Sequence, residues 1–207
     1  MAYKQDSFLI ILIAPSGGGK STIGDRLLEL ENDLVYSISS TTRKARSGEK
    51  NRVDYFFLSE EEFIKRREAG EYIETATVHG NYYGTSKEFI KQQQEAGNNI
   101  LLDIDVQGAL NILKQKIECV TVFILPPHHD ILEKRLIDRN TDDADTIALR
   151  LTNAGKEIKY INDFDYLVIN DDLEHAVAEI RKIIAVESLR SKRYKNIEQE
   201  YYRRKYA

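Results

Sequence analysis

Short runs of consecutive apolar residues alternate along this chain with segments in which apolar residues recur every three or four positions. Uninterrupted apolar runs are typical of strands buried on both faces of a sheet, and the second spacing is typical of helices with one buried face. The predicted strands are residues 8–14, 100–104, 119–125 and 166–169, and the clearest helices cover residues 20–31 and 172–190. This alternation predicts a doubly wound α/β fold with a mainly parallel sheet and crossover helices.

Residues 39–96 do not follow this alternation and predict an inserted, mixed α/β lobe. Half-exposed strands are expected at residues 55–58 and 72–78, with a helix between them that begins at Ser59. Ser59 and Glu62 have the spacing of a capping box, which stabilises the first turn of a helix. The stretch GNYYG at residues 80–84 indicates a turn. The chain is therefore predicted to be a single domain, with a core at residues 1–38 and 97–190, the lobe, and a tail at residues 190–207.

Composition narrows the class of protein further. A chain of 207 residues with 42% hydrophobic and 31% charged residues suits one soluble domain. The net charge of −4 gives no overall attraction to nucleic acid or to an anionic membrane. No apolar run approaches the roughly 18 residues of a membrane span, and the N-terminus does not have the pattern of a signal peptide. We therefore expect a cytoplasmic protein that binds neither nucleic acid nor membrane.

The tail at residues 190–207 carries seven Lys and Arg residues against two Glu residues. Such a composition is typical of a solvated helix face, and it also suits a surface that binds a partner or a second subunit. The sequence therefore leaves a homo-oligomer open.

A glycine-rich stretch, APSGGGKST, lies between the first predicted strand and the first predicted helix. In this context three glycines bring backbone N–H groups close to phosphate oxygens, and the start of the helix favours an anion. Lys20 is expected to reach the β- and γ-phosphates of ATP, and Ser21 is expected to bind Mg²⁺. The pattern usually begins with glycine, but this chain has alanine there. The predicted ATP-binding residues of this loop are Ala14, Pro15, Ser16, Gly17, Gly18, Gly19, Lys20, Ser21 and Thr22.

A second cluster of basic residues lies within residues 43–52, where three arginines and two lysines occur in ten positions. Two of them, Arg43 and Arg46, are three residues apart and could hold one phosphate monoester between their planar guanidinium groups. Taken alone, the same run is more typical of a solvated basic loop than of a phosphate site.

Five motifs that follow one another along the chain give a more specific indication of the family. SSTTRKARSGEKNRVDYFF at residues 39–57 is followed by FLSEEEF, YIETA, GNYYGTS and DIDVQG. Together they resemble the guanylate kinase family, whose members phosphorylate GMP and dGMP, and the resemblance extends over residues 8–187. It implies a fold of the P-loop NTPase type with a GMP-binding lobe and a helical lid, and transfer of the γ-phosphoryl group of ATP to GMP with Mg²⁺. Arg52 stands where the family typically has glycine.

The resemblance also implies the acceptor site. It assigns the GMP phosphate to Arg43, Arg46, Tyr55 and Tyr83, and the guanine to Ser39, Glu74 and Thr85. A carboxylate can accept from both N1–H and the 2-amino group of guanine, whereas adenine lacks both of these donors.

Two acidic residues of the DIDVQG motif lie at the end of the buried strand predicted at residues 100–104. Because alternate strand positions face the same side, Asp103 and Asp105 are expected to reach one site. By resemblance, Asp103 orders Mg²⁺ and Asp105 orients groups of the GMP site.

A lid is expected at residues 139–150, with one helix ending near Arg139 and another beginning near Asp143 or Asp145. By resemblance, Arg139 and Arg150 neutralise charge on the transferring phosphoryl group together with Lys20 and Arg46, and Arg135 assists. Arginines in this role contribute about 10³–10⁵ in rate. The same resemblance places Asn170 and Asp171 at the adenine end of ATP.

Two alternatives to this function remain. Guanylate-kinase-like domains of scaffold proteins bind phosphopeptides without catalysis, and a kinase of the same fold could act on another phosphorylated acceptor. The residues Lys20, Ser21, Arg139 and Arg150 argue against the first alternative, and Glu74 and Thr85 argue against the second.

Overall fold

A computed structural model describes residues 5–46, 48–78, 80–138 and 143–203 of the chain. Its main sheet has five parallel strands in the order β2-β7-β1-β8-β9. These strands are β1 (Leu9–Ile13), β2 (Leu34–Tyr36), β7 (Asn99–Asp103), β8 (Cys119–Leu125) and β9 (Tyr166–Ile169). The predicted α/β fold with a mainly parallel sheet is confirmed, and the strands at residues 119–125 and 166–169 have the bounds that the sequence predicts.

Both faces of the main sheet are covered, which explains its uninterrupted apolar runs. In β1, Ile10 and Leu12 belong to one buried cluster and Leu9, Ile11 and Ile13 to the other. The first cluster includes residues of α1 (Lys20–Leu30) and α7 (Leu173–Ser188). The second includes residues of α3 (Lys87–Glu95) and α4 (Val106–Lys114). Among the helices of the described residues, none combines the length and the apolar character needed to cross a bilayer.

A second sheet has four strands in the order β4-β3-β6-β5. These are β3 (Ser40–Thr41), β4 (Phe56–Phe57), β5 (Tyr72–Val78) and β6 (Asn81–Ser86), and the helix α2 (Glu60–Glu68) lies between β4 and β5. Ser59 caps α2 by accepting from the backbone N–H of Glu62, as the sequence predicts. Phe63 of α2 is fully buried and stacks on Tyr72 and Tyr82, with ring centroids 4.8 and 5.5 Å apart. This stacking attaches the helix to the hairpin of β5 and β6.

Two sequence predictions in this region need correction. The stretch GNYYG turns only at Gly80, which has a φ of 77°, and its remaining residues belong to strand β6. Strand β5 is buried at Tyr72, Ile73 and Glu74 and is not half-exposed there. The aromatic residues of β6 suit a pleated surface, and β6 forms a hairpin with β5, but its pairing with β3 depends on residues distant in sequence.

Elements β2, β3 and α3 also have no counterpart among the elements predicted from the sequence. Strands β2 and β3 contain three and two residues, too few to show a periodicity. Helix α3 offered a signal, because Ser86 caps it by accepting from the backbone N–H of Phe89.

Helices α5 (His129–Asp138) and α6 (Ala144–Glu157) pack together through Leu132, Leu136 and Ala154. Asp143 caps α6 through the backbone N–H of Thr146, so the helix starts where the sequence predicts. Arg139 lies outside the described residues.

The basic tail packs along the edge of the main sheet where β1 and β8 begin. Arg193 is 4% exposed, lies 4.2 Å from the centroid of the Phe8 ring and pairs with Glu118 at 2.8 Å. Lys192 also pairs with Glu118, Lys195 pairs with Asp6, and Arg190 pairs with Glu187. Four basic residues of the tail are therefore bound within the chain, and helix α8 (Ile197–Arg203) starts only after them. A solvated helix face is the wrong description for residues 190–196.

Arg52 has a φ of 66°, in the left-handed region that glycine adopts without strain. Backbone geometry therefore accounts for the glycine that the resemblance to guanylate kinases implies at this position. We expect Arg52→Gly to increase the free energy of unfolding by about 0.5–1 kcal/mol, because relief of steric strain exceeds the added freedom of the unfolded chain. Urea unfolding of both proteins measures this difference. Arg66→Gly in the interior of α2 should instead lower stability, and a similar loss at both positions would contradict the strain at Arg52.

Candidate active site

The phosphate loop connects β1 to α1 at the edge where the parallel strands end. Gly17 and Gly19 have φ values of 88° and 94°, which L-residues rarely adopt. Gly18 has no room for a side chain, because a Cβ there would lie 2.8 Å from the Cβ of Ala14. Ala14 does not have a positive φ, so alanine is compatible with the backbone at the first loop position. Among the described residues no side chain caps the N-terminus of α1 at Gly19. The loop therefore presents backbone N–H groups to an anion.

Asn170 supports the phosphate loop through a side-chain hydrogen bond. Its side chain is buried and donates from Nδ2 to the carbonyl of Gly18 at 2.8 Å. A Cβ at Gly19 would clash with the same nitrogen. The carbonyl of Asn170 accepts from Nη2 of Arg135 at 3.1 Å, while the buried Nη1 of Arg135 has no hydrogen-bond partner among the described residues. Arg135 therefore has a donor left near Gly19, at the anion-binding loop.

Lys20, Ser21 and Asp103 meet at the end of β7. Nζ of Lys20 lies 2.5 Å from Oδ1 of Asp103 and donates to the carbonyl of Ile104 at 2.7 Å. The hydroxyl of Ser21 donates to Oδ2 of Asp103 at 3.3 Å. The structure thus brings together the predicted phosphate-binding lysine and the two predicted ligands of Mg²⁺.

The chemistry of these donors fits Mg²⁺. A hydroxyl and a carboxylate oxygen lie side by side, and both are hard oxygen ligands. Within the part of the chain that the structure describes, no group of three or more His, Cys, Asp or Glu side chains could hold a metal. One carboxylate beside a phosphate loop is the usual arrangement for Mg²⁺ that is shared with nucleotide phosphates.

A cavity of about 290 Å³ adjoins Asp103. Six of the predicted site residues line it, although they come from both sheets. Its lining consists of Tyr36, Ser39, Tyr55, Glu74, Ala76, Tyr83, Asp103, Ile104 and Asp105. The predicted acceptor and metal residues therefore share one space next to the phosphate loop.

Asp105 reaches this cavity by a different route from the one expected. Strand β7 ends at Asp103, and Asp105 is the N-cap of α4, where its Oδ1 accepts from the backbone N–H of Gly108 at 2.7 Å. The expectation of two alternate positions on one strand was therefore wrong. The chain turns between the two residues, and both carboxylates still line the cavity.

Glu74 is the buried acid of the cavity, with 7% of its surface exposed. It pairs with Thr85 across the antiparallel strands β5 and β6, and the hydroxyl of Thr85 donates to its Oε1 at 2.7 Å. Burial raises the pKa of Glu74, the Thr85 hydrogen bond opposes this shift, and the charge of Asp105 adds to it. Thr85 itself is fully buried and contributes by orienting the carboxyl group.

Arg43 lies over the aromatic rings beside the cavity. Its guanidinium is 5.3 Å from the ring centroid of Tyr55 and 5.9 Å from that of Phe57. The rings of Tyr55 and Tyr83 contact each other with centroids 6.1 Å apart. Arg46 is exposed on the same loop. Arg43, Tyr55 and Tyr83 thus form the phosphate end of the predicted acceptor site.

Other predicted site residues lie at the periphery. Thr22 is exposed on the first turn of α1, and Arg150 is half-buried on α6. Asp171 is exposed beyond β9, and its carboxylate accepts from the backbone N–H of Asp172 at 2.7 Å. Pro15 is buried and accepts from the backbone N–H of Gly18 at 2.8 Å, which closes the turn of the phosphate loop.

Sequence reasoning missed two residues at this site. Tyr36 lines the cavity with its hydroxyl beside Asp103, and desolvation of the hydroxyl, followed by the charge of Asp103, raises its pKa although 38% of the residue's surface is exposed. Glu157, the last residue of α6, lies near the backbone of Ser16 in the phosphate loop, and its Oε2 is buried without a hydrogen-bond partner in the described chain. Burial, followed by the charge of Asp105, raises the pKa of Glu157. Neither residue belongs to a motif, so only its position in the fold indicates its relevance.

Comparisons with known proteins agree with this arrangement. A sequence model described as guanylate kinase matches residues 6–187. The chain is 44% identical to a guanylate kinase of Caldanaerobacter subterraneus over 95% of its own length and 96% of the relative. It is 46% identical to one of Wolbachia pipientis, with 92% and 95% of the two chains covered. The crystal structure of guanylate kinase from Anaplasma phagocytophilum superposes with a TM-score of 0.76 at 32% identity, covering 95% and 94% of the two chains. The chain therefore belongs to the guanylate kinase family of nucleotide-binding phosphotransferases and is an enzyme of this type.

Proposed function

We propose that the enzyme transfers the γ-phosphoryl group of ATP to GMP, and also to dGMP, giving ADP and GDP. The observation that carries this proposal is the cavity that joins Glu74 to Asp103. One buried carboxyl group lies in the same space as the acid that contacts Lys20 of the phosphate loop. A base held at Glu74 therefore places its phosphate in the direction of the phosphate loop.

Guanine recognition follows from the acceptor lone pairs that remain free on the Glu74 carboxylate. Thr85 occupies one direction on Oε1, which leaves lone pairs on both oxygens for N1–H and the 2-amino group of guanine. Ser39 lines the same cavity and can donate its hydroxyl to O6. Adenine presents no donor at N1 and no 2-amino group, so its entry would leave the buried carboxylate unpaired. The acceptor phosphate then lies at Arg43, Arg46, Tyr55 and Tyr83.

The donor nucleotide is assigned to the phosphate loop, residues 14–22, with Asn170 and Asp171 toward its adenine end. Ser21 and Asp103 would hold Mg²⁺, and the ion supplies charge neutralisation on the phosphates when it is bound. Lys20 adds a fixed positive charge close to the same place. Phosphoryl transfer depends mainly on positioning and charge stabilisation, so these residues are suited to the reaction without a strong general base.

Three regions of the single domain would have separate functions in the reaction. Residues 39–96 form the GMP-binding lobe, the core at 1–38 and 97–190 holds ATP, and residues 139–150 form a lid. Arg139 and Arg150 of the lid, with Arg46 of the lobe, would surround the transferring phosphoryl group. Closure of lobe and lid would exclude water and suppress hydrolysis of ATP. We place this activity in purine nucleotide metabolism and GMP recycling, in the cytoplasm.

A coupled assay of ADP formation with GMP, AMP, UMP and CMP tests the function directly. We expect rapid turnover with GMP and a kcat/KM at least about 10³-fold lower with AMP, because adenine cannot satisfy Glu74. Equal rates with AMP would overturn the guanine assignment and favour a kinase for another acceptor. Binding of GMP without turnover of any monophosphate would indicate a non-catalytic binding module.

A further inference from the structure

Glu49 lies at the phosphate end of the acceptor site, although no motif assigned it a role. Its Oε1 and Oε2 accept from Nη2 and Nη1 of Arg43 at 2.8 and 3.0 Å. Its Oε2 also accepts from the backbone N–H of Arg46 at 2.6 Å. The side chains of Arg43 and Glu49 are 15% and 20% exposed, so the pair is partly shielded from water. One carboxylate therefore contacts both arginines of the proposed phosphate site.

The hydrogen bonds of Arg43 determine which of its edges is available. The carboxylate of Glu49 occupies the edge between Nη1 and Nη2, and the carbonyl of Lys44 accepts from Nη1 at 2.8 Å. Because a guanidinium has five N–H donors, two remain: Nε–H and the second N–H of Nη2. These two donors are parallel and form the other bidentate edge, which matches two phosphate oxygens.

The Arg43 guanidinium lies beside the cavity. It is 5.3 Å from the ring centroid of Tyr55, and the rings of Tyr55 and Tyr83, which contact each other, both line the cavity. The planar group rests on the rings of Tyr55 and Phe57, which fixes its plane but not its rotation in that plane. Glu49 supplies the missing constraint, because two hydrogen bonds to one edge determine that rotation.

Glu49 also shapes the backbone that carries Arg46. The backbone N–H of Glu49 donates to the carbonyl of Arg46 at 3.1 Å, and Gly48 between them has a φ of 93°. With the bond from the Arg46 N–H to the Glu49 carboxylate, the turn is closed at both of its ends. The positions of Arg43 and Arg46 relative to each other therefore depend on Glu49.

We propose that Glu49 is a positioning residue for the GMP phosphate, which holds the outer edge of Arg43 so that its inner edge faces the phosphate. This proposal rests on the proposed function, since it takes Arg43 as a phosphate ligand. The Arg43 guanidinium lowers the pKa of Glu49, so the carboxylate stays charged while it holds Arg43. The carboxylate acts through the arginines and does not touch the substrate.

The decisive variant is Glu49→Gln, which keeps the size of the side chain and an acceptor for the Arg46 N–H but removes the charge. We expect the Kd and KM for GMP to rise about ten-fold, since charge-assisted bonds are roughly twice as strong as neutral ones. The KM for ATP and the kcat at saturating GMP should change less than about two-fold. Binding of guanosine, measured by calorimetry, should also be unchanged, because the base pocket at Glu74 is intact.

Controls separate positioning from general damage. Glu61→Gln on the exposed first turn of α2 removes the same charge away from the cavity and should leave GMP binding as in the wild type. In a double-mutant cycle, Glu49→Gln should add little to the effect of Arg43→Ala if Glu49 acts through Arg43. Glu49→Asp, with a shorter side chain, provides a second variant should Glu49→Gln fold poorly, and it should weaken GMP binding without affecting guanosine.

Three results would overturn the proposal. Tighter GMP binding by Glu49→Gln would show that Glu49 competes with the phosphate for Arg43. Equal loss of GMP and guanosine binding would show a purely structural role, and additive effects in the cycle would show that Glu49 acts independently of Arg43. A wild-type enzyme that neither binds nor phosphorylates GMP would contradict the proposed function itself, which the wild-type measurement reveals separately.

Discussion

Replacing Lys20 with Met should reduce kcat for phosphoryl transfer from ATP to GMP by about 10³-fold, because a preorganised charge at the transferring group is lost. Lys20 is already held close to the site by Asp103 and the Ile104 carbonyl, so its charge needs little reorganisation when ATP binds. Methionine keeps the length and the apolar stem of the side chain but not its charge. Single-turnover measurements with saturating nucleotides give the rate of the chemical step.

The same variant should remain folded. The Lys20–Asp103 pair is 18% and 19% exposed, and its loss should lower the free energy of unfolding by no more than about 2 kcal/mol. Lys182→Met on the exposed surface of α7 removes an equal charge without approaching the loop and should retain full activity. Retained turnover in Lys20→Met would remove the phosphate loop from the mechanism.

Replacing Glu74 with Gln should reduce the preference for GMP over AMP by about 10²–10³-fold, with little change in the KM for ATP. Glutamine offers one acceptor oxygen where guanine presents two donors, and its amide N–H₂ would face one of them. The lost hydrogen bond and the unpaired donors raise the free energy of the GMP complex. The ratio of kcat/KM for the two monophosphates is the measurement.

Stability gives an independent test of the burial of Glu74. Its pKa is raised in the folded protein, so ionisation of this group destabilises the native state as the pH rises through that pKa. The wild type should therefore lose stability relative to Glu74→Gln as the pH rises above 4.5, the ordinary pKa of a glutamic acid, and the two should be most alike below that pH. Glu71→Gln, an exposed neighbour, should show neither effect. Unchanged selectivity in Glu74→Gln would place the base pocket elsewhere.

Much of the fold was predictable because its signals are local. A strand buried on both faces must be apolar throughout, and the strands at residues 119–125 and 166–169 have the bounds that their apolar runs indicate. Caps are local as well, and Ser59 and Asp143 start helices where the sequence places them. Strands β2 and β3 were missed because two or three residues cannot establish a period, and their edges are satisfied by distant partners.

The candidate site also combines residues that are adjacent in sequence with residues that only the fold brings together. The glycines of the phosphate loop, Lys20 and Ser21 are adjacent in the chain, so their spacing alone indicates a phosphate-binding loop. Asn170 supports that loop from 152 residues away, and Tyr36 and Glu157 reach the site without any motif. These contacts depend on how the sheet brings its strand ends together.

By itself, the sequence determined the α/β class and the phosphate loop, because each depends on neighbouring positions or on a repeating pattern, whereas the acceptor residues were predicted only from the resemblance to guanylate kinases. Only the tertiary structure decided that Glu74 shares a cavity with Asp103, that Asp105 reaches it from a helix cap, and that Arg43 is held by Glu49 with one edge free. The physical reason is that burial and hydrogen-bond direction arise from residues far apart in the chain. Their charges and pKa values are therefore properties of the assembled fold.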